Sequence, residues 1–354
     1  METIEQLLEK YANETGVSGN EDRIRALLEA DMKGYVDEIR EDKLGNVICI
    51  RKGTSPKGPV ILLAAHMDEI GLMVKRIDEN GFLKFARIGG WFDQTLLNQR
   101  VIVHAKKGDI VGVIGSKPPH VMTPEDAKSQ VKYNDMFIDV GAKDADDAAA
   151  MGIEPGTYVS TDRDFRKLAN GRVTCKAFDN RAGDVIMVEA MRRLKNEDIK
   201  ATILAVGTVQ EEVGLKGAKT AAYASEADVA LALDTTIPGD HPGISKDASA
   251  LEIGKGPVFT VVDASGRGLI AHPTVLKWLR ESADKEKLPY QISVGEGGTT
   301  DATAIHLTKE GIPTGTISIA TRYIHSPVEV LDTADLEACV NILVAALRRA
   351  DRYF

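Results

Sequence analysis

Four apolar runs in this chain end on residues able to bind a metal or move a proton. VILLAA leads into His66-Met67-Asp68, TILAVGTVQ into Glu211-Glu212, VALAL into Asp234, and GTISIA through Thr321-Arg322-Tyr323-Ile324 to His325. Ligands of open α/β sheets bind beyond the carboxyl ends of the strands, so these positions weigh more than the same residues elsewhere. Each has an ordinary alternative, since an Asp at a strand end often caps or turns and a lone His is more often a surface or core residue. Independent ordinary explanations for four ends at once are weaker. Histidines combined with carboxylates make a nitrogen and oxygen ligand set that suits zinc, cobalt or manganese rather than calcium or magnesium. A metal also answers a charge problem: crowded carboxylates at a buried rim repel one another and take up protons, whereas two divalent cations keep them ionised. The i, i+2 spacing of His66 and Asp68 on extended backbone puts both side chains on one face, where Asp68 can hold the other imidazole N–H. His104, His120, His241, His272 and His306 lack such companions and are assigned no chemistry.

The elements that must position these groups follow from periodicity. Residues 3–13 and 20–34 carry helical spacing, and Ser18-Gly19-Asn20-Glu21 has the S-x-x-E form of a capping box opening the second helix. GPVILLAAHMD is a continuous apolar run, expected as a strand buried on both faces. From about residue 70 to 161 the texture changes to short alternating runs with Gly-containing turns, such as RVIVHAKKGDIVGVIG. We expect a small β-rich, barrel-like insert over 70–161, in which the polar, proline-rich stretch 116–135 forms a mobile surface loop. The remainder, 1–69 plus 162–354, alternates helices (182–195, 217–225, 273–286, 334–350) with strands (201–209, 228–233, 313–319). That pattern implies an α/β domain whose mostly parallel, mixed sheet is flanked by helices.

Composition narrows the function classes. With 43% hydrophobic and 27% charged residues, the chain has the balance of a globular protein, and no window approaches the roughly 18 uninterrupted apolar residues of a membrane helix. A formal net charge of −9 without a basic stripe argues against a nucleic-acid partner. The acidic, amphipathic start METIEQLLEKYANETG lacks the parts of a secretory signal, and Cys49, Cys175 and Cys339 are scattered, so a reducing cytoplasm is expected.

The segments AAHMDEIG, KAFDNRAG, QEEVGLKGA, ALDTT, GGTTDA and RYIHSP, in this order, resemble the M42 family of dinuclear metallo-aminopeptidases, which includes the tetrahedral TET peptidases. ARIGGWFDQTLLNQRV in the insert resembles the family's smaller domain. Carried over residue by residue, the resemblance makes His66 and Asp234 ligands of one metal, Glu212 and His325 ligands of the other, and Asp179 the bridge. Sequence reasoning alone leaves Asp179 a turn residue. The resemblance further implies Glu211 as general base, Asp68 as the residue orienting His66, zinc (with cobalt or manganese as alternatives) as the two ions, and peptides as substrates. It also implies self-association, with a dodecameric cage built from dimers as the leading expectation.

For the substrate pocket we expect contributions from the Gly-rich GEGGTTDATA, through Gly298 and Asp301, and from Arg322. Asp301 has the competing role of an acid at a helix N-terminus, and Arg322 that of a partner for a neighbouring acid. Competing functions are a metal-dependent deacylase or dipeptidase on the same scaffold, an endoglucanase-type glycosidase, and a non-catalytic scaffold. Glycosidase carboxylates need neither histidine ligands nor metals, and 5% aromatic residues offer few sugar platforms.

Overall fold

The computed structural model describes residues 2–125 and 128–354. The chain opens with helices α1 (Ile4–Asn13) and α2 (Asp22–Met32), then lays down strands β1 (Glu38–Glu41), β2 (Val47–Arg51) and β3 (Val60–His66). Six strands then close into an antiparallel barrel: β4 (Gly71–Ile77), β5 (Leu83–Ile88), β6 (Arg100–Ala105), β7 (Gly108–Gly115), β8 (Phe137–Asp139) and β9 (Tyr158–Thr161). A short helix, α3 (Ala145–Ala150), precedes β9, and the pair β10 (Arg166–Lys167) and β11 (Arg172–Cys175) leads back. The second half runs α4 (Phe178–Leu194), β12 (Thr202–Thr208), α5 (Lys216–Ala224), β13 (Val229–Thr236), β14 (Val258–Val262), α6 (Pro273–Glu286), β15 (Gln291–Val294), α7 (Asp301–Ile305), β16 (Thr314–Ala320), β17 (Glu329–Asp332) and α8 (Thr333–Leu347).

Eight strands form the main sheet in the order β1-β2-β12-β3-β13-β16-β14-β15. The central pairs β12–β3, β3–β13 and β13–β16 are parallel, while β1–β2, β2–β12 and β14–β16 are antiparallel, giving the expected mixed α/β architecture. Alternation along β3 shows why its sequence is apolar throughout. Ile61, Leu63 and Ala65 join a large core with α1, α2, α4, α6 and α8, whereas Leu62 and Ala64 face a second core with α5 and α7. A strand covered on both faces needs apolar side chains at every position. The barrel has its own core of Leu72, Val74, Leu83, Phe85, Val101, Val103 and neighbours, which accounts for the period-2 alternation between residues 70 and 161.

The expected capping box at Ser18-x-x-Glu21 is not formed. Helix α2 starts at Asp22 with no side-chain cap, and the Ser18 hydroxyl instead donates to Asp68 Oδ2 at 2.5 Å. Glu21 accepts from the Gly19 and Gln210 N–H groups at 2.8 and 3.1 Å. Long-range partners outcompete the local cap, and the segment is drawn toward the strand ends. In the stretch 116–135, expected as a surface loop, residues 126 and 127 lie outside the described residues; short 3-10 turns occupy Pro119–Val121 and Tyr133–Asp135. Where the barrel meets the α/β part, His104 joins the two: Nε2 lies 3.1 Å from Thr15 Oγ1, and Nδ1 lies 2.9 Å from Asp109, which is paired with Arg23. No helix among the described residues is long and apolar enough to cross a membrane.

Candidate active site

Parallel pairing aligns the ends of the central strands. Thr208 lies beside His66 in the β12–β3 register, and Ala232 beside Ala64 in β13–β3, which brings Asp234 level with His66. Asp234 sits within β13 rather than just past it, because that strand continues to Thr236. The expected positions after β12 and β16 are reached through left-handed residues, Gln210 (φ 55°), Tyr323 (φ 60°) and His325 itself (φ 61°). Such backbone costs on the order of 1–3 kcal/mol per non-glycine residue and persists where surrounding contacts fix it.

Those contacts are visible. Asp68, fully buried, accepts the Ser18 hydroxyl and the N–H groups of Glu211 (2.9 Å) and Glu212 (3.2 Å). It therefore fixes the turn that presents both glutamates. Its relation to His66 differs in detail from the expectation: Nδ1 lies 3.1 Å from the Asp68 carbonyl oxygen and 3.6 Å from its carboxylate. The main chain of Asp68 takes the imidazole hydrogen bond, freeing its carboxylate for the Glu211-Glu212 turn.

Asp179 enters from a different direction. Ala177 is left-handed (φ 60°), and Asp179 (φ −80°, ψ 100°) and Asn180 precede the regular part of α4; the Asp179–Asn180 peptide is cis. Phe178 is fully buried, its ring edge-on to Phe165 at 6.2 Å, which anchors this entry in the main core. Asn180 donates to the Leu233 carbonyl at 2.8 Å and accepts from the Gly183 N–H at 3.1 Å. Gly183 permits the approach, because a Cβ there would stand 2.6 Å from the Leu233 carbonyl oxygen. The start of α4 is thus held against β13 beside Asp234.

Glu329 completes the frame, and sequence reasoning missed it. Buried on β17, it accepts the Asp179 N–H at 2.9 Å through one oxygen and the His325 N–H at 3.1 Å through the other. Its one trace in the sequence is an acid inside the apolar run VEVL. From the barrel side, Gly90 reaches the same place: a Cβ on it would lie 2.9 Å from His325 Nδ1.

The outcome is two groups of donor atoms, His66, Asp179, Asp234 and Asp179, Glu212, His325, each group lying within 4.8 Å. His66 Nε2 is 3.2 Å from Asp179 Oδ1 and 3.9 Å from Asp234 Oδ1. His325 Nε2 is 3.2 Å from Glu212 Oε2 and 3.6 Å from Asp179 Oδ2. The two oxygens of one carboxylate therefore face opposite imidazoles. Glu211 belongs to neither group, although its Oε2 approaches His66 Nε2 to 3.9 Å.

Burial pushes the carboxyls of Asp234 and Glu211 well above their ordinary range, and repulsion from neighbouring acids adds to it. Burial acts to lower His66, but Glu211, Asp179, Asp68 and Asp234 overcome it and hold the imidazole well up. For His325, burial is likewise outweighed by the bond to Glu212, raising it to about 9. Protons here occupy the role that cations fill better: a set of nitrogen and oxygen donors in two overlapping groups, negative in sum, fits a pair of divalent ions.

The centre lines a cavity of about 1170 Å³ together with the 243–251 and 292–300 segments. Gly298 lines it, but Asp301 and Arg322 do not. Asp301 is buried behind β12, accepting the Thr208 hydroxyl at 2.5 Å, and its carboxyl is raised to about 6 chiefly by burial. Thr300 caps α7, and Asp301 stands in the first turn of that helix, the alternative open for it in the sequence. Arg322 pairs with Asp240 at 2.6 Å, the alternative open for it in the sequence.

Comparison with known proteins now decides the family. A model described as M42 glutamyl aminopeptidase matches residues 45–342. The chain belongs to the M42 peptidase family. It is 36% identical over 348 residues to a lysyl aminopeptidase of Pyrococcus furiosus, covering 97% of this chain and 96% of that one. Among solved structures, an aminopeptidase from the archaeon Desulfurococcus kamchatkensis aligns with a TM-score of 0.93 at 45% identity, covering 98% of this chain and 94% of that chain. A Pyrococcus horikoshii TET1 peptidase, described as assembling into a tetrahedron or a large octahedral shell, aligns with a TM-score of 0.87 at 34% identity over 97% and 98% of the two chains. This M42 chain is accordingly an enzyme, a peptide hydrolase of the aminopeptidase type.

Glu329 stands outside both donor groups yet anchors residues of each. Its replacement by Ala leaves the Asp179 and His325 N–H groups unanchored, so Glu329→Ala is expected to lose about 10- to 100-fold in turnover or metal affinity. Steady-state kinetics with metal analysis after dialysis check this; wild-type values for both would remove Glu329 from the frame.

Proposed function

We propose that this M42 enzyme is a dinuclear aminopeptidase in which His66, Asp179 and Asp234 hold one divalent ion and Asp179, Glu212 and His325 the other. The observation that carries the proposal is the shared carboxylate of Asp179, one oxygen 3.2 Å from His66 and the other 3.6 Å from His325, with Glu211 alongside but outside both groups. When bound, two such ions, zinc in first place and cobalt or manganese as alternatives, supply Lewis acidity that polarises the scissile carbonyl and acidifies water.

The remaining work falls to the chain. Glu211 takes a proton from the attacking water and returns it to the leaving amine, a task for a carboxylate near the ions but not committed to them. Asp68 holds the Glu211 and Glu212 N–H groups, so the two side chains diverge: Glu212 toward His325 and Glu211 toward His66. The Asp68 carbonyl oxygen fixes the orientation of the His66 ring. Gly298 shapes the pocket wall, and Asp301 supports the site from behind β12 through Thr208.

Action at the N-terminal residue is supported by family membership. With zinc, cobalt or manganese restored, aminoacyl anilides with a free amine are expected to be hydrolysed, and their N-acetylated counterparts to react at least about 100-fold more slowly, since a deleted charged contact at a buried site has effects of this size. Faster turnover of the N-acetylated series would favour a deacylase, and turnover confined to dipeptides a dipeptidase.

The α/β part, 1–69 plus 162–354, then serves catalysis, and the barrel insert 70–161 serves assembly and substrate access. The likeness to the TET1 peptidase supports a homo-oligomer, with a dodecamer built from dimers as the form proposed, working on peptides in the cytoplasm. A light-scattering mass of one 38.3 kDa chain under metal-replete conditions would contradict the cage.

A further inference from the structure

Two consecutive acids follow the β3 end that carries His66, and they hold different neighbours. Asp68 accepts the Glu211 and Glu212 N–H groups, whereas Glu69 turns to the span 176–181, which contains Asp179. Glu69 is only 2% exposed. Its two oxygens accept the Lys176 ammonium at 2.9 and 3.0 Å, and Oε1 also accepts Arg181 Nη2 at 3.4 Å and the Gly16 N–H at 3.0 Å. Lys176 and Arg181 are themselves 4% and 0% exposed, so three charged side chains meet in the interior. Lys176 donates further to the Glu14 carbonyl at 2.8 Å. The close approach of Arg181 needs a glycine at position 16, where a Cβ would stand 2.9 Å from its Nη2.

The two cations stand at the two ends of one short span. Lys176 precedes the left-handed Ala177 (φ 60°), Arg181 follows the non-helical Asp179 and Asn180, and Asp179 between them points one oxygen at His66 and the other at His325. Backbone of this kind persists only where surrounding contacts over-determine it. Glu329 and the Leu233 carbonyl hold the middle of the span, and a single carboxylate, that of Glu69, holds both ends. A buried ion pair is weak evidence for stability, because apolar groups of similar volume often serve as well. What the ionic arrangement adds is direction. Arg181 Nε and Nη1 have no hydrogen-bond partner among the described residues, so the bond to Glu69 is what orients the guanidinium. Farther along α4, burial pushes the Asp184 carboxyl well above its ordinary range, and the Arg181 charge acts against that shift.

We propose that Glu69 is a positioning residue for the bridging carboxylate: by gripping Lys176 and Arg181 it fixes the span that sets Asp179 between His66 and His325, and so raises the affinity of the centre for its two ions. The proposal rests on the dinuclear centre above and deepens it with a residue that belongs to neither donor group. Asp68 and Glu69 together then tie the β3 end to both of the segments it must meet, the 211–212 turn and the 176–181 span.

The test titrates chelator-stripped protein with zinc by calorimetry and records thermal melting of the same stripped samples, for the wild type, Glu69→Gln and the double variant Glu69→Gln/Lys176→Met. In Glu69→Gln the side chain keeps its shape but has one acceptor oxygen instead of two, and its NH₂ adds a donor among donors. Zinc affinity is expected to fall about 10- to 100-fold, the size of effect seen when a residue supporting metal ligands is removed. The melting temperature is expected to fall too, because Lys176 is left buried without its counter-charge. The double variant removes that ammonium and leaves Arg181 facing Asp184, so melting is expected to recover while zinc affinity stays about 10-fold or more below wild type. Recovery of both would reduce Glu69 to a partner for buried charge and overturn the proposal, as would wild-type affinity in Glu69→Gln. Should Glu69→Gln not fold, the double variant decides alone: weakened zinc binding supports the proposal and wild-type binding overturns it. In each overturning case a wild type that binds two ions leaves the dinuclear centre standing. A wild type that binds fewer than two overturns both.

Discussion

Glu211→Gln is expected to retain two metal ions per chain and lose about 10²–10⁴-fold in kcat, the range typical of removing a positioned general base. The expectation follows from where Glu211 stands. It lies outside both donor groups, its N–H is anchored on Asp68, and its carboxylate oxygen is 3.9 Å from His66 Nε2. An amide replaces the carboxylate with nearly the same shape and removes only the ability to take a proton. The Asp68 contact is made by the backbone, so it survives the change. Loss of one ion would place Glu211 among the ligands, and near-wild-type turnover would remove it from catalysis.

Asp179→Asn should have the converse signature, losing metal and activity together. Both oxygens of Asp179 are committed, one toward His66 and the other toward His325. An amide presents one oxygen and one NH₂, so it can serve one side only and turns a donor toward the other. The backbone frame remains, because the Asp179 N–H bond to Glu329 and the Asn180 bonds to Leu233 and Gly183 do not involve the altered group. The expected variant is folded, binds at most one ion tightly and has lost more than about 10²-fold in activity, as when a two-metal clamp is broken. Thermal melting alongside elemental analysis separates this from misfolding. Two tightly bound ions in a folded Asp179→Asn would refute a bridging role.

These two residues also show what the sequence does and does not reveal. Glu211, Glu212, His66, Asp234 and His325 stand at or near the ends of parallel strands, and the sheet gathers them because parallel strands put their carboxyl ends on one edge. Strand runs are legible from apolar continuity, so their ends are too. Asp179 arrives through a left-handed Ala177 and a non-helical entry to α4, a path with no periodicity to detect. Ser18 illustrates the opposite error. Its spacing to Glu21 matches a local cap, but its hydroxyl serves Asp68, far away in sequence. Glu329 was hidden for the same reason, since its partners are backbone N–H groups of distant residues and leave no mark on its own segment. The chemistry was legible where it coincides with regular structure and illegible where it depends on long-range hydrogen bonds.

The pocket residues divide in the same way. Gly298 lines the cavity, whereas Arg322 finds its charge partner in Asp240 and Asp301 finds a hydroxyl in Thr208. A charged residue close to a site in sequence can thus be satisfied before it reaches the site.

In the proposed centre, two ions sharing Asp179 are what make this chain a peptidase. Its most direct test is a titration of chelator-stripped protein with zinc, cobalt or manganese, following hydrolysis of free aminoacyl anilides against ions added per chain. Negligible activity without metal is expected, with a rise that levels off at about two equivalents, as for a two-metal site. Full activity in the stripped protein, or a plateau at a single equivalent, would contradict it.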